Sequence, residues 1–374
     1  MSEGLDLSRL SVATSPHIRE EESVSTIMWW VVAALAPASL FGVYNFGWYA
    51  GVVIVVAVAT AVAAEAVWQK LTGGPVTVND GSAVITGLLV ALVIPPNVPL
   101  YVPFVASAVG VIVAKQLFGG LGCNIWNPAL VGRAFVQIAY PQYVTLSAWP
   151  LLTGSGFSRF LQDVRNAAPQ GASASRYDAV LQATPLAREA VKSFAPAGDG
   201  TLHVMYPSLK PLFFGGIPGC IGETSALLLI IGGAFLIYKG YINWKVPAVF
   251  LGTIFLFAFF VPTWKIPGAE TLGGLPPYET GIDEPTWWFF PLYQVFAGGA
   301  VIGAFFMATD MVTTPIASRG QVIFALGCGL ITVLIRLVGH GFPEGVCYSI
   351  LLMNTATPVI DRYTRPRKYG AVKE

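Results

Sequence analysis

The residues of this chain that could do chemistry are few, and the first of them lie in its only long polar stretch. There Asp178 precedes Thr184 by six residues, and Pro185 follows directly. On local sequence alone, Thr184 is predicted to cap a helix whose first residue is Pro185. The positive end of such a helix also favours a phosphate group, so the threonine lies where a phosphate would be stabilised.

A second set of polar residues lies within apolar sequence. Asn124 and Asn127 follow a glycine-rich segment, and Asp310 follows an apolar run. Polar side chains at membrane depth usually face a ligand or a transport pathway rather than lipid. Two simpler interpretations are open as well. The asparagines could cap a broken helix, and Asp310 could form a structural pair with a buried cation such as Arg133.

Several other kinds of site are not expected. The four cysteines and three histidines have no metal-ligand spacing, which argues against an iron–sulfur cluster or a haem held by this chain alone. The sequence has no P-loop, dinucleotide fingerprint or catalytic-triad pattern. It also has no basic cluster interleaved with aromatic residues, so nucleic acid is not an expected partner.

The composition indicates which elements must position these residues. Apolar residues make up 55% of the chain and charged residues 11%, with a mean hydropathy of +0.65. These values predict an all-α, polytopic membrane protein. A span needs roughly 17 to 25 mostly apolar residues. Ten segments are candidates, several of them short: Ile27–Tyr44, Trp48–Trp68, Ala83–Ile94, Leu100–Leu117, Ile125–Tyr140, Thr224–Tyr238, Val246–Val261, Phe296–Ala308, Ile323–Leu337 and Gly345–Ile360.

The distribution of Lys and Arg predicts the orientation. With a cytoplasmic amino terminus, the short outer loops and outer helix ends hold only Lys265 and Arg336. The positive-inside rule therefore predicts both termini in the cytoplasm. The expected divisions are a cytoplasmic segment 1–26, a first five-span repeat 27–140, an extracytoplasmic loop 141–218, a second five-span repeat 219–360 and a cytoplasmic tail 361–374.

An internal repeat is predicted from prolines and glycines at one constant offset. Pro96 recurs as Pro315, and Gly110 recurs as Gly329. Such residues mark equivalent backbone requirements. Because each half holds an odd number of spans, the second half would be inverted relative to the first.

Two short segments at matching places in the halves predict where a binding site would lie. Thr86–Pro96 and Phe305–Pro315 each end at a proline and are too short to cross ~30 Å of hydrocarbon. Broken spans of this kind expose helix termini and free backbone groups near the middle of the membrane.

Motifs along nearly the whole chain resemble RnfD and NqrB, membrane subunits of ion-pumping redox complexes. The motifs, in order, are Ser15–Arg19, Gly119–Pro128, Asp178–Pro185, Gly222–Leu227, Phe306–Asp310, Pro343–Gly345 and Leu351–Asn354. A long amino-terminal region of the kind expected in NqrB does not precede these motifs, which makes RnfD the closer match.

The resemblance implies a covalent flavin. In these subunits a motif of the form Asp-x-x-(Ser/Thr)-x-Ala-Thr carries FMN through a phosphodiester to the threonine. Thr184 would then be the anchor, and Asp178 would belong to the motif that a flavin transferase recognises. That enzyme takes FMN from FAD outside the cytoplasm, where the loop is predicted to lie. Leu181 departs from the motif, which usually has serine or threonine there, and this bears on recognition by the transferase.

The resemblance also implies a second flavin, riboflavin bound without a covalent bond, for which Asn124, Asn127 and Asp310 are the candidate contacts. The expected activity is electron relay in a ferredoxin:NAD oxidoreductase complex that translocates Na⁺ or H⁺. The chain would not be catalytic alone. Expected partners are other membrane and peripheral subunits, a second covalent flavoprotein, the flavin transferase and membrane lipid.

Two alternatives and a weaker third follow from the same sequence. An NqrB-like subunit would pass electrons to ubiquinone, and a urea-transporter-like facilitator would share an inverted, broken-span architecture. A purely structural scaffold is the third. The outer loop argues against the facilitator and the scaffold, because neither has a use for the motif at Thr184.

Overall fold

The computed structural model of this chain describes residues 22–144, 209–215, 219–260, 289–338 and 345–365. The elements in these ranges are helical, as the composition predicts. The main helices are α1 (Val24–Phe46), α2 (Trp48–Leu71), α3 (Ser82–Leu92), α4 (Tyr101–Ala114), α5 (Pro128–Ala139), α6 (Ala226–Tyr238), α7 (Lys245–Phe260), α8 (Phe289–Phe296), α9 (Ala300–Ile302, continued by a π-helical turn Gly303–Met307), α10 (Ser318–Val338) and α11 (Val346–Thr364).

Helix length supports a protein that crosses the membrane several times. Within the described ranges, four helices are long and apolar enough to cross by length and composition: Val24–Phe46, Trp48–Leu71, Tyr101–Phe118 and Ser318–Arg336. The third of these joins α4 to a short 3₁₀ turn, Gln116–Phe118. Shorter apolar helices, α3, α5, α6 and α7, lie among them.

Of the two segments predicted to be broken, Thr86–Pro96 is largely the short helix α3, whereas only the first three residues of Phe305–Pro315 belong to the short helix α9 and the rest is turn and loop. α3 has 11 residues, about 16 Å at 1.5 Å per residue, and it ends before Pro96. α9 begins after Gly299, whose φ of 68° favours glycine. It continues only as far as Met307, well before Pro315. Neither helix spans ~30 Å of hydrocarbon, so both leave helix termini inside the protein.

Longer helices hold the two short ones in place. α3 packs against α2, and α9 packs against α7 and α11. The principal helix contacts are α2 with α4, α4 with α5, α7 with α10, α10 with α11, and α1 with α6. Every helix that borders α3 or α9 is thereby fixed to at least one further helix.

Small residues allow the closest of these approaches. A Cβ on Gly87 of α3 would lie 2.6 Å from the Val58 Cα of α2, which is closer than real Cβ atoms come. Gly110 of α4 similarly leaves no room beside the Pro128 backbone at the start of α5. Close backbone contact through glycine is typical of helix packing in membranes. Gly329, which the repeat pairs with Gly110, instead meets Thr253 of α7.

Candidate functional site

Of the two sets of predicted site residues, the structure describes only one. Asp178, Leu181 and Thr184 lie outside the described residues, so the attachment motif stays a prediction from sequence. Asn124, Asn127 and Asp310 are described, and all three line a single cavity. Residues far apart in sequence are thereby brought to one place, although nothing in their spacing required it.

The cavity lies beside the first residue of α3, between the two halves of the chain. Its volume is about 780 Å³ when its mouth, open to solvent, is included. Its polar lining consists of the three predicted residues together with Ser82, Thr86, Lys115, Thr309 and Tyr241. Its apolar lining includes Ile27, Met28, Val31, Ile85, Leu89, Leu121, Leu236, Ile242, Phe306 and Met311. Apolar walls with a few convergent polar groups are typical of small-molecule sites.

Asn127 has a structural role at the edge of this cavity. Its side-chain oxygen accepts a hydrogen bond from the Ala129 N–H at 3.0 Å and so caps α5. Its Nδ2 donates to the Met307 carbonyl at 3.3 Å, at the end of α9. The capping interpretation is therefore correct for Asn127, which also connects the two halves. Asn124 makes a local turn instead, and its Nδ2 donates to the Trp126 carbonyl at 3.2 Å.

Asp310 lies in the loop that follows α9. Its carboxylate accepts hydrogen bonds from the Val312 N–H at 3.4 Å and from the Thr313 hydroxyl at 3.2 Å. Arg133 is placed elsewhere, at the carboxyl end of α3, where it donates to the Val93 carbonyl and to the Cys220 thiol. The interpretation of Asp310 as the ion-pair partner of Arg133 is therefore not supported.

A buried ion pair beside the cavity was not predicted from the sequence. Lys115 Nζ donates to both carboxylate oxygens of Glu65, at 2.7 and 2.9 Å, and to the Ser82 hydroxyl at 2.6 Å. The side chains of Lys115 and Glu65 are 2% and 1% exposed. Both charges are thus removed from water, and each compensates the other. The only sequence signal was the presence of two opposite charges in apolar segments, 50 positions apart.

Further hydrogen bonds hold this pair in position. Gln69, one turn along α2, donates to Glu65 at 3.2 Å and to the Thr77 hydroxyl at 2.9 Å. The Ser82 hydroxyl, which accepts from Lys115, donates in turn to Asp80 at 2.6 Å. The network fixes the start of α3 to α2 and to the end of α4, and it holds in place Lys115, which is one of the residues that line the cavity.

The opposite end of α3 is held by a separate polar cluster. The Ile94 carbonyl accepts from the Ile221 N–H at 3.2 Å. Glu223, in a 3₁₀ turn before α6, accepts from the Cys220 N–H at 3.4 Å. Carbonyls that the short helix leaves free at its carboxyl end are satisfied in this way by Arg133 and by the Ile221 backbone.

Comparison with known proteins identifies the chain at the level of its family. Residues 11–370 match the NQR2, RnfD, RnfE family. The chain belongs to this family. The match includes both sides of the cavity and the residues of the predicted attachment motif.

Individual relatives of this family member are similar over almost the whole chain. The D subunit of the proton-translocating ferredoxin:NAD(+) oxidoreductase complex of Clostridium ljungdahlii is 43% identical over 365 residues, 96% of each chain. The D subunit of the Na(+)-translocating ferredoxin:NAD(+) oxidoreductase complex of Acetobacterium woodii is 42% identical over 367 residues, 97% of this chain and 96% of that one. The D subunit of the ion-translocating oxidoreductase complex of Halorhodospira halophila is 33% identical over 366 residues, 97% of this chain and 96% of that one.

Proposed function

We propose that this chain is the RnfD-type electron-transfer subunit of an ion-translocating ferredoxin:NAD oxidoreductase complex in the bacterial inner membrane. It would carry FMN on Thr184 and riboflavin in the cavity beside α3. The observation that carries the proposal is the match of residues 11–370 to the family, together with relatives that are the D subunits of such complexes at 43% and 42% identity. The convergence of Asn124, Asn127 and Asp310 on one cavity supports the second cofactor.

The residues present at the cavity suit a flavin. The isoalloxazine ring would supply the redox chemistry when bound. Asn124 and Asp310 offer hydrogen-bonding groups for its polar edge. Phe306 and Leu89 supply apolar surface that would exclude water from the ring. The protein's part is therefore to bind, to orient and to set the charge around the site.

The predicted architecture supports this assignment and belongs to the same proposal. The ten spans would form two inverted halves, with a long outer loop at about 141–218. Two pairs of contacts have the arrangement that such a repeat requires: α2 on α4 matches α7 on α10, and α4 on α5 matches α10 on α11. The short helices α3 and α9 occupy matching places in the two halves. Gly110 and Gly329 have different neighbours, so under this proposal the local packing differs between the halves.

The coupled ion is not decided by similarity. Two relatives with nearly the same identity to this chain, 43% and 42%, are named for protons and for Na⁺. The proposal therefore names H⁺ or Na⁺ as the ion. It includes both termini in the cytoplasm, and further membrane and peripheral subunits, a second covalent flavoprotein and a flavin transferase as partners.

The experiment that tests the covalent flavin is the mass and fluorescence of the denatured polypeptide. Wild type and Thr184→Ala would be expressed with the flavin transferase, purified and denatured. Wild type should keep flavin fluorescence and an FMN-sized increase in mass, and Thr184→Ala should lose both. Thr153→Ala, in the same predicted outer loop, is the matched control and should keep both.

The same experiment separates the alternatives. If wild type carries no flavin although the transferase labels a control substrate, either Leu181 disables the motif or the electron-transfer role is wrong. Leu181→Ser distinguishes these, because it restores the usual motif and should then be labelled. A chain that stays unlabelled after that change would favour a facilitator. An NqrB-like role would instead be revealed by reduction of ubiquinone by the flavin-loaded chain.

A further inference from the structure

We propose that Lys115 is a positioning residue that sets the reduction potential of the flavin in the cavity, and that Glu65 offsets its charge from behind. The inference rests on the proposed function, because it requires a flavin at this site. It is based on a difference between the two members of the ion pair. Lys115 lines the cavity, whereas Glu65 binds the same ammonium group without being part of the cavity lining.

The ion pair is fixed, so its field has a fixed direction. Two hydrogen bonds to Glu65 and one to Ser82 use all three donors of the Lys115 ammonium. Because Lys115 is a lining residue of the cavity and Glu65, on α2, is not, the positive member of the pair is the one nearer the cavity. A pair with this geometry acts on a bound ligand as a dipole held in a region from which water is excluded.

Charge at this wall matters because flavin reduction adds negative charge. Each electron that enters the bound flavin adds one negative charge to the cavity unless a proton or another cation follows it. Asp310 lines the same cavity and opposes that change. Lys115 favours the added negative charge, and Glu65 weakens the effect of Lys115. At a separation of several ångströms in a partly dry site, one unit charge changes an equilibrium by about tenfold or more.

The test measures potential and flavin content rather than turnover. The full-length chain would be made without the flavin transferase, so that it carries only non-covalent flavin, and purified in detergent. Flavin content would be measured after extraction, and the potential by dithionite titration followed by absorbance. Lys115→Met should make the flavin harder to reduce, lowering the reduced-to-oxidised ratio at a fixed potential about tenfold. Glu65→Gln should shift it in the opposite direction.

Two controls separate this effect from simple damage. Lys115→Arg keeps the charge and should keep the wild-type potential. Lys70→Met removes an exposed lysine one turn beyond the pair on α2 and should change nothing. The double variant Glu65→Gln/Lys115→Met removes the whole dipole and leaves no unpaired buried charge, so it remains informative if either single variant fails to fold. Its flavin should also be harder to reduce than that of wild type.

The outcomes distinguish failure of this inference from failure of the proposed function. If the wild-type chain retains no extractable flavin, the cavity is not a flavin site and the underlying proposal fails. If flavin is retained and its potential is unchanged in the double variant, the role of Lys115 is overturned while the flavin site stands. Shifts of the same sign in both single variants would also overturn it, because two charges of opposite sign cannot act alike.

Discussion

The two ends of α3 show different ways of holding a helix that stops inside the protein. At its amino end, Glu65, Lys115 and Ser82 form a charged network with three contacts shorter than 3 Å, beside an open cavity. At its carboxyl end, Arg133 and the Ile221 backbone satisfy the free carbonyls within buried surroundings. The second end completes a helix terminus, whereas the first leaves a charge beside space that a ligand could occupy.

The largest expected effect tests whether α3 is held mainly by packing rather than by either network. A Cβ on Gly87 would meet the α2 backbone, which has no means of moving aside. Gly87→Val should therefore lower stability by more than about 3 kcal/mol and reduce the folded yield in detergent. The control is Gly252→Ala in α7, where a Cβ would meet nothing within 4 Å. Equal thermal unfolding temperatures for the two variants would contradict the role of packing.

The next largest effect on stability is expected at the amino end of α3, where Lys115 and Glu65 form the ion pair. Lys115→Met leaves the Glu65 carboxylate buried without its cation, which typically costs about 3–5 kcal/mol. Adding Glu65→Gln removes the orphan charge and should recover most of that loss. Thermal unfolding in detergent, monitored by tryptophan fluorescence, measures both variants. A double variant that is as unstable as Lys115→Met would show that the two side chains stabilise the protein by packing and not by compensating each other's charge.

A smaller effect is expected at Asp310, where a ligand role can be separated from a structural one. Asp310→Asn should reduce the amount of extractable non-covalent flavin several-fold and should lower stability by about 1 kcal/mol, since it weakens the bonds to Val312 and Thr313. Asp361→Asn is the matched control, because Asp361 also accepts a backbone N–H, that of Ile316 at 3.1 Å. Flavin loss in the control alone would place the cofactor elsewhere.

The smallest effect concerns the contact between the halves. Asn127→Asp keeps the oxygen that caps α5 but removes the donor to the Met307 carbonyl. We expect a loss of about 1 kcal/mol with the helix cap intact. Asn127→Ala removes both bonds and should cost about twice as much. An unfolding temperature of Asn127→Asp equal to that of wild type would show that the contact with α9 contributes nothing measurable.

The sequence predicted the helices better than their contacts. Long apolar runs made α1 and α2 predictable to within a few residues, and prolines indicated that α3 and α9 would be short. Polarity in an apolar context identified Asp310 as a cavity residue. The pairing of Glu65 with Lys115 was not predictable in the same way, because it depends on how α2 and α4 pack and not on any local pattern.

Arg133 is a second residue whose contacts could not be predicted from the sequence. From the sequence, Asp310 could have paired with a buried cation such as Arg133. In the structure, Arg133 lies at the carboxyl end of α3, where the Val93 carbonyl and the Cys220 thiol are among its acceptors. Every residue type has a backbone carbonyl, so the free carbonyls at the end of a broken helix cannot be recognised from the sequence. Which acceptor satisfies a buried arginine is therefore decided by where the helices stop.

The pair of Glu65 and Lys115 also constrains how the chain is assembled. Glu65 is made 50 residues before Lys115, so α2 reaches the bilayer with an uncompensated acidic group. A charged residue at the centre of an inserting helix costs about 2.5–3.5 kcal/mol on insertion scales, and Glu65, in the last two turns of α2, costs less. The strongly apolar remainder of α2 offsets that cost until α4 arrives. Closing of the ion pair then joins α2 to the end of α4 before α5, the last helix of the first half, is made.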